Sequence, residues 1–130
     1  MVSGTGFSFE APASWAVRKS TSVVTVRDGA EFIQVARFPL VKAYRPALFA
    51  AVARELRVRM SQVARGRTVE DAGEATVDGI RSHVYRLPQE GYVDEYTFVL
   101  AGRREFQLLC REPKAGAAHC ASLQASFDVS

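Results

Sequence analysis

The side chains of this sequence that could take part in acid–base chemistry are His83, His119 and the neighbouring carboxylates Asp94 and Glu95. Imidazole and carboxylate groups move protons in many active sites, so general acid–base catalysis is the reaction class they would serve. Adjacent residues of a strand point to opposite faces of its sheet, so Asp94 and Glu95 cannot act together on one substrate. We predict that each histidine is a surface or half-buried residue without a catalytic role.

The sequence lacks the motifs of several reaction classes. No serine lies in a G-x-S-x-G arrangement, and the glycine pair at 4–6 lacks a third glycine and precedes a strand, so neither a hydrolase nor a phosphate-binding loop is indicated. The acidic stretch 70–74 lacks the regular alternation of oxygen ligands found in calcium loops. We predict that the protein is not an enzyme and has no cofactor. Asp94 is predicted to lie at a rim opposite Arg81 or Arg86, and an inward-facing acid is the alternative.

The two cysteines are Cys110, at the end of the last predicted strand, and Cys120, in the helix that follows. Neither belongs to a C-x-x-C pair and only His119 neighbours them, so a metal site would lack ligands and none is predicted. A bridge would close a loop of about 11 residues and stabilise the domain by roughly 2.5–3 kcal/mol. We predict this disulfide, which implies an oxidising compartment. Two buried free thiols are the alternative.

Composition limits the class of protein further. The chain has 130 residues, 48% of them hydrophobic and 24% charged, which is ordinary for a soluble domain. We predict that residues 1–130 form a single domain. The net charge of +3 is spread along the chain, which argues against nucleic-acid binding. No apolar run approaches the roughly 20 residues of a membrane helix, and the N-terminus is no signal peptide.

A long central helix, predicted over about residues 45–65, is the element that must position the rest of the chain. It contains no internal glycine, and Pro46 stands near its start, where a missing N–H costs little. Gly66 is the expected C-terminal cap. At about 100° per residue, five apolar side chains fall within a stripe roughly 100° wide. These are Val52, Ala53, Leu56, Met60 and Val63.

Strand patterns flank this helix on both sides, and hairpin turns are predicted at 28–29, 78–79 and 101–103. The strand that precedes the helix carries apolar residues on both faces, which predicts a sheet covered on both sides, and Pro39 should end that strand. A second, short helix is predicted over about residues 114–125, with a buried side formed by Ala117, Cys120, Leu123 and Phe127. The predicted fold class is α+β, with a single twisted antiparallel sheet of about six to eight strands and both helices packed on it.

Aromatic residues on the predicted strands allow two interpretations. They could line a site for a small apolar ligand between the central helix and the sheet. Ordinary core packing is the favoured interpretation, because a core of this size needs several aromatic side chains. The residues concerned are Phe32, Phe38, Tyr85, Tyr96 and Phe98.

Both ends of the sequence resemble the PsbP-like fold. Gly6-Phe7-Ser8-Phe9 followed by Pro12-x-x-Trp15 is similar to that family's G-F-S-F…P-x-x-W start, and Ser126-Phe127 resembles its S-F closing strand after the terminal helix. The fold is shared by the photosystem II extrinsic protein, a Ran-binding nuclear import factor and many bacterial lipoproteins of unknown role. The resemblance implies a helix between two sets of strands, and it brings no ligand site to this chain.

The predicted function follows from these observations together. We expect a non-catalytic, extracytoplasmic domain that binds or scaffolds another protein of the cell envelope. Bacterial proteins of the resembled kind often follow a lipoprotein signal, so we also expect a lipid anchor upstream of residue 1 in a precursor. The alternative function is a carrier of a small apolar ligand. Neither nucleic acid nor a metal is an expected partner.

Overall fold

The computed structural model describes residues 1–130. Nine strands and two helices follow one another along the chain, with a 3₁₀ turn over Pro46–Leu48 leading into the first helix. The elements are β1 (Val2–Gly4), β2 (Phe7–Phe9), β3 (Ala16–Lys19), β4 (Val23–Asp28), β5 (Glu31–Tyr44), α1 (Phe49–Ala64), β6 (Glu70–Val77), β7 (Ile80–Pro88), β8 (Tyr92–Pro113), α2 (His119–Ser126) and β9 (Asp128–Val129).

The strands form two antiparallel sheets. The main sheet has the order β3-β4-β5-β8-β7-β6, and a small sheet has the order β1-β2-β9. The predicted α+β class and antiparallel pairing are confirmed, but the prediction of a single sheet is wrong. Phe7 of β2 packs its ring on Phe106 of β8, with the ring centroids 5.8 Å apart. Because β2 lies across the face of the main sheet in this way, it cannot extend that sheet at an edge.

β8 folds back on itself at Gly102. Asp94 and Arg111 are 17 residues apart in the chain, which would separate them by about 55 Å in a straight strand. Their side chains nevertheless lie 2.7 Å apart, and the N–H of Lys114 donates to the carbonyl of Gly91 at 3.0 Å. The hairpin predicted at this position is therefore confirmed. One arm of β8 pairs with β7 and the other pairs with β5.

The two helices cover opposite faces of the main sheet, as the prediction of a sheet covered on both sides requires. Under α1, the side chains of Leu56 and Met60 pack against a cluster that includes Tyr85 and Phe98. On the other face, Leu123 of α2 joins a larger core that also includes both phenylalanines of β2. Neither helix is long and apolar enough to cross a membrane.

The central helix matches its predicted span, since the 3₁₀ turn and α1 together run from Pro46 to Ala64. Its buried face is rotated from the predicted stripe. Ala64 is buried, whereas Val63, which was predicted to face the core, is 37% exposed. The helix ends at Arg65, whose φ of +50° is left-handed, one residue before the predicted glycine cap.

α2 is shorter than predicted. Residues 114–118 precede it without helical structure, and Gly116 has a φ of +99°, which a right-handed helix excludes. Ala117, predicted to face the core, is exposed. The other residues predicted for the buried side are buried, and they are Cys120, Leu123 and Phe127.

β5 continues past Pro39, contrary to the prediction that this proline ends the strand. Between the pair Pro39–Arg104 and the pair Tyr44–Gly102, β5 has four residues and β8 has one. A proline is tolerated beside such a bulge because the ladder does not need its missing N–H there. We call residues 40–43 the β5 bulge. These residues leave the ladder and turn toward α1, where they line a pocket with it.

Candidate functional site

An apolar groove runs along the flank of α1 that faces β5. It consists of three adjoining pockets of about 380, 350 and 330 Å³. The first two pockets share Tyr44 and Leu100, and the second and third share Leu40, Arg59 and Glu105, so the three form one continuous feature. One wall is α1, and the β5 bulge forms the opposite wall. We call this feature the α1 groove.

The first pocket of the α1 groove lies at the start of the helix. Tyr44, Phe49 and Leu100 line it, together with Arg81. The guanidinium carbon of Arg81 lies 4.1 Å from the centre of the Phe49 ring, within the range of a cation–π contact. Burial raises the pKa of the Tyr44 hydroxyl, although nearby Arg81 opposes this shift. The pocket therefore offers an apolar surface with one neutral hydroxyl and one cation at its edge.

Large apolar side chains are exposed around the α1 groove. Val41 of the β5 bulge is 90% exposed, and Phe38 and Leu48 are 43% and 39% exposed. Three of the seven large hydrophobic residues that the surface exposes thus lie at this feature. Single exposed apolar residues are ordinary, but a group of them beside a groove marks a contact surface.

The floor and rim of the α1 groove carry charge. Glu105 is 4% exposed and accepts a hydrogen bond from Arg59 of α1, so its negative charge is neutralised by a side chain that is itself 43% exposed. Arg103 donates to the carbonyl of Val41 at 3.0 Å and so holds the β5 bulge in place. Lys42 and Arg45 are exposed nearby. Glu55 of α1 is the exposed acidic residue of this lining, so the rim carries more cationic than acidic side chains around an apolar interior.

The structure separates the five aromatic residues predicted to line a ligand site. Tyr85, Tyr96 and Phe98 lie together beneath α1, but they are only 1%, 6% and 0% exposed because they pack against the helix and each other. Phe38 lines the far end of the α1 groove. Phe32 lies elsewhere on β5, between the guanidinium groups of two arginines at 4.8 and 5.0 Å. The five residues therefore do not form one lining.

Asp94 does not occupy the predicted rim position. It is 4% exposed, and its carboxylate accepts hydrogen bonds from Nε and Nη2 of Arg111 at 2.7 and 3.0 Å and another from Gln89. Arg81 and Arg86, the partners predicted for it, pair with other carboxylates. The prediction considered only the strand that precedes β8, whereas the fold of β8 at its hairpin brings Arg111 opposite Asp94.

Both histidines are more buried than predicted, at 8% exposure each. His83 stacks on the Phe49 ring with centroids 3.7 Å apart, and its Nε2 lies 2.7 Å from the Phe49 carbonyl. His119 places its Nε2 2.8 Å from the carbonyl of Arg111 and its ring 4.9 Å from that of Trp15. The first packs at the start of α1 and the second belongs to α2, so they do not meet at one site.

The predicted disulfide joins Cys110 of β8 to Cys120 of α2. Potential metal ligands gather around it, since donor atoms of both cysteines and of His119 lie within 4.8 Å of one another. Carboxylate oxygens of Glu31 and Glu112 lie 3.7 and 3.9 Å from Nδ1 of the same histidine. Neither carboxylate was predicted to lie near His119, because only the fold brings Glu31 of β5 and Glu112 of β8 beside α2.

The α1 groove was not identified from the sequence. Its lining at the β5 bulge comes from a segment that was predicted to be a mere connection after Pro39. The available signal was the presence of Leu40, Val41 and Tyr44 in that connection, because a connecting segment is usually polar. The fold brings this segment against α1, and no periodicity in the segment itself indicates that contact.

Comparison with known proteins finds a similarity of structure and none to a protein family. No protein-family model matches this chain, and no curated protein matches it. Among solved structures, the chain is similar to a Bacteroides thetaiotaomicron VPI-5482 protein, with a TM-score of 0.65 and 15% sequence identity. The similarity covers 100% of this chain and 47% of that one, so the chain spans about half the length of its structural relative. At this identity the similarity shows the fold alone.

Proposed function

We propose that this chain is a non-catalytic binding domain that works outside the cytoplasm and docks a segment of a partner protein in the α1 groove. The observation that carries the proposal is the group of exposed apolar side chains around this groove. The most exposed of them is Val41 of the β5 bulge, at 90%. Burying such side chains against a partner is favourable, at about 25 cal/mol for each Å² removed from water.

The charge around the α1 groove indicates the chemistry of the partner. Lys42, Arg45, Arg59 and Arg103 surround its interior. Of the two acidic residues that line the central pocket, Glu105 is paired with Arg59 and Glu55 is exposed on α1, so cationic side chains outnumber free carboxylates. Complementary charge favours a partner segment that presents large apolar side chains flanked by carboxylates. The central pocket suits such side chains, since nine of its thirteen lining residues are hydrophobic.

The buried polar groups support a binding role rather than catalysis. Asp94 is held by Arg111 and Gln89, Glu105 is held by Arg59, and the ring of His83 is stacked and hydrogen-bonded. Each of these side chains therefore stabilises the packing of strands or of α1. Because these charged groups are engaged in structural contacts, we propose that function depends on the α1 groove.

The proposed compartment rests on two further observations. The Cys110–Cys120 disulfide is a feature of oxidising environments. Both ends of the sequence resemble PsbP-like proteins, many of which are bacterial lipoproteins, and this resemblance supports membership of that family and a lipid anchor in a precursor. The proposed partner is accordingly another protein of the cell envelope.

A small apolar ligand is the second candidate occupant of the α1 groove. Its first pocket, of about 380 Å³, falls within the size range of small-molecule sites. In this version of the carrier function, the ligand lies beside the start of α1 rather than between the helix and the sheet, where the aromatic side chains are closely packed.

Site-specific photo-crosslinking in cells tests the protein-docking proposal. A photoreactive residue at Leu48, in the groove, should give a defined adduct, and the same residue at Val58, which is 57% exposed outside the groove pockets, should not. Val41→Asp should abolish the adduct without lowering the melting temperature, because this side chain is exposed. The crosslinked segment of the partner should contain apolar residues flanked by carboxylates.

Two results would count against protein docking. Equal adducts at the two positions, or an adduct that persists in Val41→Asp, would show that the α1 groove is not the contact surface. A mass increase of a few hundred daltons in native mass spectrometry, removed by organic extraction, would favour the small-ligand candidate instead.

A further inference from the structure

The disulfide and its surroundings contain a second potential site, on the face of the main sheet opposite the α1 groove. Cys110, His119 and Cys120 are each buried, at 2%, 8% and 3% exposure, and their donor atoms lie within 4.8 Å of one another. Glu112 adds a carboxylate whose Oε2 lies 3.9 Å from Nδ1 of His119. Two sulfurs, one imidazole nitrogen and one carboxylate oxygen are thus gathered in one place.

We propose that reduction of the Cys110–Cys120 disulfide converts this cluster into a Zn²⁺ site, with both thiolates and His119 as ligands and Glu112 as the fourth. Zn²⁺ takes four ligands of these types in tetrahedral geometry, with bonds of about 2.0–2.3 Å. Such bonds place neighbouring ligand atoms roughly 3.4–3.8 Å apart. The two sulfurs and the imidazole nitrogen lie within 4.8 Å of one another and so exceed this range by about 1 Å at most. Glu112, whose Oε2 lies 3.9 Å from Nδ1 of His119, would turn toward the sulfurs to complete the site.

The position of His119 suits it for metal binding. Its Nε2 lies 2.8 Å from the backbone carbonyl of Arg111, which can only accept a hydrogen bond, so Nε2 carries the proton. Nδ1 is then left with its lone pair, on the side of the ring that faces Glu112. A hydrogen bond from the non-coordinating nitrogen to a carbonyl is the arrangement that orients many zinc-binding histidines.

Glu112 supplies an independent observation at the same place. Its Oε2 is buried and has no hydrogen-bond partner. A buried acceptor without a partner costs free energy, and native structures contain few of them. A cation bound between Glu112 and His119 would satisfy this atom. The backbone N–H of Cys120 lies near the Glu112 carboxylate and accounts for its position at the start of α2, but it leaves Oε2 without a hydrogen bond.

The chemistry needs a reductant, and a dithiol is the class that supplies it. The dithiol transfers two electrons and two protons: the S–S bond of the chain breaks, two thiols form, and the dithiol becomes a disulfide. Zn²⁺ then displaces the two thiol protons to solvent as the thiolates coordinate it. A small surface pocket of about 270 Å³, lined by Pro12, His119 and Ser122 among others, opens His119 to solvent beside the buried disulfide.

Zinc titration of the whole chain in its two redox states tests this inference. The chain is reduced with a phosphine, which is then removed under argon, and Zn²⁺ is titrated against a competing chromophoric chelator. We expect one Zn²⁺ per reduced chain, bound at least about a hundredfold more tightly than by the oxidised chain. Cd²⁺ in place of Zn²⁺ should give the ultraviolet charge-transfer band of two thiolates. The fluorescence of Trp15, which lies 4.9 Å from His119, should change with the same stoichiometry.

Single substitutions distinguish zinc binding by the folded cluster from zinc binding by the two thiols of an unfolded chain. His119→Ala and Glu112→Gln should each weaken binding by the reduced chain by about 10–100-fold. His83→Gln changes an equally buried histidine elsewhere and should leave the affinity within about twofold. Circular dichroism of each reduced variant shows whether the sheets persist.

The inference fails if the reduced and oxidised chains bind Zn²⁺ equally weakly. It fails also if binding by the reduced chain is unaffected by both His119→Ala and Glu112→Gln, since the thiolates would then act without the folded cluster. Neither result bears on partner docking in the α1 groove, which depends on residues of α1 and β5.

Discussion

Asp94→Asn tests the arrangement at the centre of the main sheet. The substitution keeps the shape of the side chain and removes its charge. Asp94 is 4% exposed and accepts two hydrogen bonds from Arg111 and one from Gln89. An asparagine in its place has a single acceptor oxygen, and its amide would turn two N–H donors toward other donors.

The size of the effect follows from these contacts. Hydrogen bonds to a charged group contribute about 1.5–3 kcal/mol each; the single oxygen of asparagine loses one or two of the three bonds and the charge that strengthens the rest, which gives about 1.5–6 kcal/mol. The Arg111 side chain is 27% exposed, so water can replace part of the lost interaction. We therefore expect the free energy of unfolding to fall by about 2–4 kcal/mol, toward the lower end of the values for breaking a buried ion pair.

Urea unfolding followed by the fluorescence of Trp15 measures this change. With a slope of about 2 kcal/mol per molar urea, the midpoint should fall by about 1–2 M. Glu74→Gln is the matched control, because Glu74 pairs with Arg81 at 2.6 Å in the same sheet but both side chains are exposed, at 47% and 64%. Exposed pairs contribute little, so this variant should lose less than about 1 kcal/mol.

Equal losses in the two variants would refute the reasoning. They would mean that Asp94 is solvated in solution and that Arg111 is not held opposite it. The hairpin of β8 at Gly102, which brings these two residues together, would then be incorrect. The order of strands in the main sheet, which depends on that hairpin, would be incorrect as well.

Three further predictions concern stability. Reducing the Cys110–Cys120 disulfide in the presence of a chelator should lower the free energy of unfolding by about 2.5–3 kcal/mol, as measured by urea unfolding with and without a phosphine. Leu56→Ala, at a position 1% exposed, should lose about 2–5 kcal/mol in the same assay, whereas Val58→Ala, at a position 57% exposed, should change it by less than about 0.5 kcal/mol. Alkaline pH should destabilise the fold, because burial raises the pKa of three tyrosines in the folded state, whereas an unfolded tyrosine loses its proton near pH 10. Above that pH the unfolded state binds fewer protons than the folded state, so the free energy of unfolding falls as the pH rises through the folded pKa values. Tyrosinate absorbance and melting temperature between pH 9 and 12 check this expectation for Tyr44, Tyr85 and Tyr96.

Local signals account for the parts of the fold that the sequence predicts well. The central helix was predictable because its apolar spacing and the residues at its two ends act within a few turns of the chain. Hairpins at 28–29 and 78–79 were predictable because Asp-Gly pairs favour tight turns through their own backbone preferences. The disulfide was predictable from the two elements that carry Cys110 and Cys120.

The missed features depend on residues that are distant in the chain. The partner of Asp94 is Arg111, and only the folded hairpin of β8 brings the two together. β2 was assigned to the main sheet because a short alternating strand does not reveal whether it extends a sheet or crosses its face. The α1 groove depends on the β5 bulge, whose register shift no local pattern of the sequence indicates.

The pairing of β5 with the second arm of β8 also affects how the chain folds as it is made. β5 finds this neighbour only once residues 102–111 exist, and β2 must wait for β9, which follows the last helix. A ribosome therefore releases almost the whole chain before either sheet can close. Because these pairings join residues that are distant in the chain, we expect the domain to fold more slowly than a helical bundle of the same length.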